Sequence, residues 1–177
     1  YNYKSMSGNV KKELDAFGKY IVKQSRTNLT KQKKNDRGNL YKSISYDLKV
    51  SKNSFELSFS MEDYGKFVDK GVRGVNSSTK APNSPYKFGS GSGAKGGLTK
   101  GIDAWVQRKR FQFKDKKGKF LSYQSTAFII RRSIWFTGIR TTNFFERPFE
   151  LAFKRLPDEL IKAYGLTVDK LLKTSLK

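Results

Sequence analysis

The chain has 177 residues, 36% hydrophobic and 14% aromatic, enough apolar surface for a real core and too short for two independent ones, so a single domain over residues 1–177 is expected. Lys and Arg number 37 against 15 Asp and Glu, a net charge of +22 that repels itself unless a polyanion or an acidic protein lies alongside. With no histidine and no cysteine, disulfides, thiol nucleophiles, the usual zinc ligands and the commonest general base are all excluded.

The excess charge runs through the whole chain, +8 over residues 1–60, +9 over 61–121 and +5 over 122–177, so no basic tail accounts for it. The first ten residues contain no apolar stretch of a secretory signal, and no run approaches the roughly 18 apolar residues of a membrane span. A soluble protein is expected.

Val10, Leu14, Phe17 and Ile21 recur at helical spacing and predict an amphipathic helix from about residue 8 to the low 30s, ending in the charged, glycine-terminated stretch Lys33–Gly38. Ile44, Tyr46, Leu48 and Val50 alternate with polar residues, and Phe55, Leu57, Phe59 and Met61 repeat the alternation, which predicts a half-buried antiparallel hairpin. Residues 62–70 read as a short helix stopped by Gly71. From Val75 to Gly97 the chain is rich in Ser, Asn, Gly and Pro and predicts a long mobile loop, ordered against a neighbouring subunit.

Leu98, Ile102, Trp105 and Val106 predict another amphipathic helix, and Asp115–Gly118 suits a turn. Ser122 is a candidate cap for a helix through Thr137, with Phe128, Ile130, Ile134 and Trp135 apolar and Gly138 at its end. A last helical region is expected from Thr142 or Asn143, bent near Pro148 and Pro157 and continuing with Leu160, Tyr164, Val168 and Leu171. The fold class is therefore α+β: a small antiparallel sheet packed by a long N-terminal helix and C-terminal helices, with a long Gly/Ser-rich loop and a loop-rich insertion or arm over 75–121.

Few residues could carry chemistry. Glu62, Asp63 and Asp69 could hold a magnesium ion for a nuclease, but Lys66 and Lys70 lie among them and solvated ion pairs are the plainer reading. The glycine run 89–97 lacks the spacing of a phosphate-binding loop. No cofactor is expected. Between Lys95 and Lys119 there are nine basic residues and two acids: Lys95, Lys100, Arg108, Lys109, Arg110, Lys114, Lys116, Lys117 and Lys119 against Asp103 and Asp115. Phe111 and Phe113 interleave with them as in single-strand binders. The alternative is a solvated basic loop with two aromatics plugged into a core. Lysines of this kind contact phosphate without reading bases.

Three segments in order resemble the family of tailed-bacteriophage neck proteins, also called tail-completion or head-tail joining proteins among the minor tail components. Gly38-Asn39-Leu40-Tyr41-Lys42-Ser43-Ile44 is similar to the family's glycine, leucine, serine, isoleucine approach to its sheet. Tyr64-Gly65-Lys66-Phe67-Val68-Asp69-Lys70-Gly71-Val72-Arg73-Gly74 resembles its second signature, a tyrosine, an aromatic-aliphatic pair, an acid and a glycine turn. Gly138-Ile139-Arg140 through Phe144-Phe145 to Pro148-Phe149 resembles its last. The 75–123 segment is longer than the family pattern. The resemblance implies a non-enzymatic virion protein that forms a homo-oligomeric ring at the head-tail junction. Its neighbours would be the portal or head-closure complex and the tail-terminator or other tail proteins, around genomic DNA, after assembly in the host cytoplasm. The rival expectation is a non-specific basic DNA- or RNA-binding protein whose charge is itself the function.

Overall fold

The structure, a computed structural model, describes residues 3–50, 54–90, 97–158 and 161, with backbone alone over 3–9. It is an α+β fold in the order α1 (Tyr3–Lys31), α2 (Asn39–Ser43), β1 (Ser45–Val50), β2 (Phe55–Ser60), α3 (Gly65–Lys70), α4 (Gly97–Lys109), α5 (Tyr123–Thr137) and α6 (Glu146–Phe153). The chain divides into two compact units, one made of residues 1–69 and 142–177 and a second, 70–141, inserted into it. The stretch read as an insertion, 75–121, lies inside the second unit. Among the described residues no helix is long and apolar enough to cross a membrane.

In the first unit the predicted stripe is the core face of α1: Leu14, Phe17 and Ile21 are buried, Val10 half-buried, and Leu29 extends the stripe two turns further. β1 and β2 form the expected two-stranded antiparallel sheet, in register from Ser45 opposite Ser60 to Val50 opposite Phe55. Leu57 and Phe59 are its buried positions. Phe59 stands edge-on to Phe145 at 5.3 Å and to Phe149 at 6.0 Å, and Phe149 meets Phe17 at 5.4 Å, so sheet, α1 and α6 share one aromatic cluster. Gly18 permits the close approach of α1 to β1, because a Cβ there would sit 2.5 Å from the ring of Tyr46.

Two helix boundaries differ from the expectation. Residues 62–64 form a turn, closed by Gly65 N–H donating to Glu62 C=O at 2.7 Å, and α3 starts only at Gly65. Pro148 does not bend a long helix: it lies in the first turn of α6, where a missing N–H costs no intrahelical bond. The expected continuation through Leu160, Tyr164, Val168 and Leu171 lies outside the described residues.

In the second unit α4 packs on α5. Ser122 caps α5 as expected, its Oγ accepting from Ser125 N–H at 3.1 Å, and Gly138 ends it at φ 84°. A Cβ at Gly138 would run into the Val72 carbonyl oxygen, so this turn requires glycine. Residues 75–90 form the expected loop, without helix or strand, and contacts within the second unit hold it. Ala81 and Ser84 are buried, Ser84 Oγ–H donates to Gly71 C=O at 2.7 Å, and Arg73 pairs its backbone with Tyr86 and Phe88 at 2.9 Å each. Polar side chains without periodicity read as loop, yet here they satisfy the backbone groups that order it. Within 89–97, residues 91–96 lie outside the described residues.

α5 carries large apolar side chains at its surface. Its buried residues are the small Thr126 and Ala127, whereas Phe128 is 54% exposed, Ile129 44% and Trp135 41%.

Candidate polyanion-binding hairpin

Val106, fully buried, anchors α4 in the second unit. The helix then closes with Phe111 N–H donating back to Val106 C=O at 3.1 Å, which requires the left-handed Arg110 at φ 51°. Beyond it the chain folds back on itself. Leu121 N–H donates to Phe113 C=O at 2.8 Å, Lys114 bridges antiparallel to Phe120, and Asp115 N–H donates to Lys119 C=O at 2.8 Å. Gln112 Nε2 ties the base to Leu121 C=O at 2.7 Å.

The tip is the turn predicted at Asp115–Gly118. Asp115 Oδ1 accepts from the backbone N–H of Lys117 at 2.8 Å and of Lys119 at 2.9 Å, and Gly118 takes φ 80°. The one acid of the tip is thus spent on the backbone. Lys114, Lys116, Lys117 and Lys119 are all exposed around it, with Lys114 Nζ 4.8 Å from the centre of the Phe120 ring.

Aromatics flank the cations. Phe111 is 40% and Phe120 60% exposed; Phe111 contacts Trp105 at 5.9 Å and Phe113 at 5.2 Å. Phe113 is half-buried and Phe111 is not plugged into a core. Arg108, Lys109 and Arg110 are exposed at the end of α4, and Lys100 is exposed near its start. Lys95 lies outside the described residues. Asp103, the other acid of the stretch, is ion-paired with Arg131 of α5. The arrangement is a braced loop presenting positive charge beside accessible ring faces, suited to phosphate contact and sequence-tolerant stacking.

The residues of the three resembling segments do structural work. Gly38 takes φ 75° before α2, Leu40 and Ile44 are buried, and Ser43 Oγ accepts from Glu62 N–H at 3.0 Å. Tyr64 is hydrogen-bonded to the Leu40 backbone, and burial first, then Glu62, pushes its phenol up. Val68 is half-buried against the core and Phe67 half-buried beside Lys66. Asp69, 5% exposed, accepts at Oδ1 from Phe145 N–H at 2.8 Å, capping α6 from 76 residues away; its carbonyl accepts from Thr142 and Asn143 N–H at 3.0 Å each. Phe144 and Phe145 are core. In the second unit Gly71 takes φ 71°, Val72 and Ile139 exchange backbone hydrogen bonds at 3.0 and 2.7 Å, and Arg140 is exposed.

Sequence reasoning did not foresee the capping role of Asp69, since nothing local couples an acid to a helix start so distant. Among the described residues no group of three or more Asp or Glu could hold a metal ion; Asp69 is committed to backbone amides, and Glu62 and Asp63 precede α3 and do not share a helix face with it. Comparison with protein-family models, with curated proteins and with solved structures finds no match.

Proposed function

We propose that this chain is a non-enzymatic structural subunit of the head-tail junction of a tailed bacteriophage, a neck or tail-completion protein that assembles as a ring around the DNA channel between the portal or head-closure layer and the tail. The observation that carries the reading is the joining of the three family-like segments in the first unit: Tyr64 meets Leu40, Ser43 holds Glu62, and Asp69 caps the helix begun by Phe145 and Glu146. Segments far apart in sequence therefore form one connected structural motif. Two further features support an assembly role. Phe128 and Trp135, seven residues apart on one face of α5, leave an apolar strip uncovered, as subunit contacts do. The basic hairpin offers a surface for DNA or for an acidic neighbouring ring.

A second reading, a free DNA- or RNA-binding protein, is favoured by the exposed rings of Phe111 and Phe120 among the lysines. Light scattering of the purified protein at low and high salt, with and without duplex DNA, separates the two. A discrete multimer, or a monomer recruited into rings only by virion partners, is the expected result. A monomer that coats DNA in a salt-dependent manner overturns the neck reading.

A further inference from the structure

A second concentration of positive charge lies in the first unit. Lys19, Lys23, Arg26 and Lys31 of α1, with Tyr41 and Tyr46, line a groove of about 580 Å³, and no acidic side chain is among its lining residues. Lys19, Lys23 and Arg26 follow at intervals of four and three, which places them on one helix face.

The groove is preorganised. Arg26 Nη2 donates to the Ile44 carbonyl at 2.8 Å, and its guanidinium lies 5.4 Å from the centre of the Tyr41 ring. Tyr46 is held as a wall by its hydroxyl donating to Asp15 Oδ1 at 2.6 Å, and Asp15 also pairs with Lys19 at 2.6 Å. The acid that touches the lining is thereby occupied.

We infer that this groove seats the phosphodiester backbone of a nucleic acid, as a contact additional to the 108–120 hairpin. Lys19 to Lys31 spans about 18 Å of helix. A duplex strand offers about five phosphates over that length, a density of regular charge that scattered carboxylates on a folded protein do not supply. An anchored guanidinium is a fixed, permanently charged donor for phosphate oxygen, and flanking lysines serve as point charges. The inference does not depend on the neck assignment, because it is read on the purified chain with DNA alone.

Two measurements test it. In lysine acetylation footprinting with a 20-base-pair duplex (a length of roughly two helical turns), Lys23 and Lys31 become protected, whereas Lys49, whose side chain is 73% exposed on β1, does not. In anisotropy titrations, Lys23→Gln/Lys31→Gln lowers the slope of log K against log salt by about 1.8, equivalent to about 60-fold weaker binding at 0.1 M salt. Lys49→Gln/Lys66→Gln, with the same loss of charge, leaves the slope at the wild-type value. Equal slopes for the two variants, or groove lysines no better protected than Lys49, overturn the inference. Equal protection by pyrophosphate, or by polyglutamate of matched charge, overturns it too, since the groove would then be a small-anion or acidic-protein site.

Discussion

Replacing Asp69 by Ala removes the acceptor that holds the start of α6. The carboxylate is 5% exposed and receives Phe145 N–H at 2.8 Å, with Glu146 N–H more distant at 3.5 Å. Loss of a helix cap costs about 1 kcal/mol, and leaving the N–H of Phe145, itself 1% exposed, without a partner costs about 1–3 kcal/mol more. These overlap, so the expected loss is about 2–3 kcal/mol. Urea denaturation followed by far-ultraviolet circular dichroism reads it, as a midpoint lowered by about 1 M for a slope of about 2–3 kcal/mol per M. Asp69→Asn keeps an acceptor oxygen and loses chiefly the charge at the helix start, so it should lose about 1 kcal/mol or less. If Asp69→Ala shifts stability by under about 0.5 kcal/mol, the size of an ordinary surface change, the long-range cap contributes nothing and the reasoning fails.

Phe59→Ala should destabilise the first unit by about 3–5 kcal/mol, because Phe59 is 1% exposed within the aromatic cluster; thermal unfolding measures it. Gly138→Ala should disrupt the second unit, since the new methyl meets the Val72 carbonyl oxygen at a positive φ; loss of amide protection in the 72–74 and 137–141 backbone is the readout. Burial, then the bond to Asp15, pushes the Tyr46 phenol up to about 12. A raised pKa means that this neutral phenol contributes stability that is complete below the ordinary value of 10 and is lost as pH rises through about 12. Subtracting the tyrosinate titration of Tyr46→Phe from that of the wild type should isolate one group titrating near 12, and a group near 10 contradicts the packing. Lys116→Gln/Lys117→Gln at the hairpin tip should lower the DNA salt slope by about 1.8 with unchanged thermal stability, as both side chains are exposed.

Much of the architecture was legible in residue order. The stripe Leu14, Phe17, Ile21, the alternation through Leu57 and Phe59, the Ser122 cap and the Asp115–Gly118 turn are short-range patterns, and each formed where the pattern lies. Periodicity of this kind records which side of an element must be dry, which is a property of three or four neighbouring residues. The basic stretch was equally visible as composition, because charge needs no partner to be read.

Only the tertiary structure decided which distant groups meet. Asp69 reads as one acid among lysines until the chain closes and brings the Phe145 amide to it. Residues 75–90 read as loop because their order comes from Gly71, Thr137 and the Arg73 backbone, to which polar side chains and main-chain groups bond individually. Phe128 and Trp135 are apolar by type, yet the fold buries Thr126 and Ala127 of the same helix and leaves these two exposed. The cations of α1 became a groove when Tyr41 and Tyr46 were set beside them. Local sequence dictates dihedral preference and the dry face of an element; which dry face, carboxylate or cation finds which partner depends on loop closure and on the packing of the whole chain.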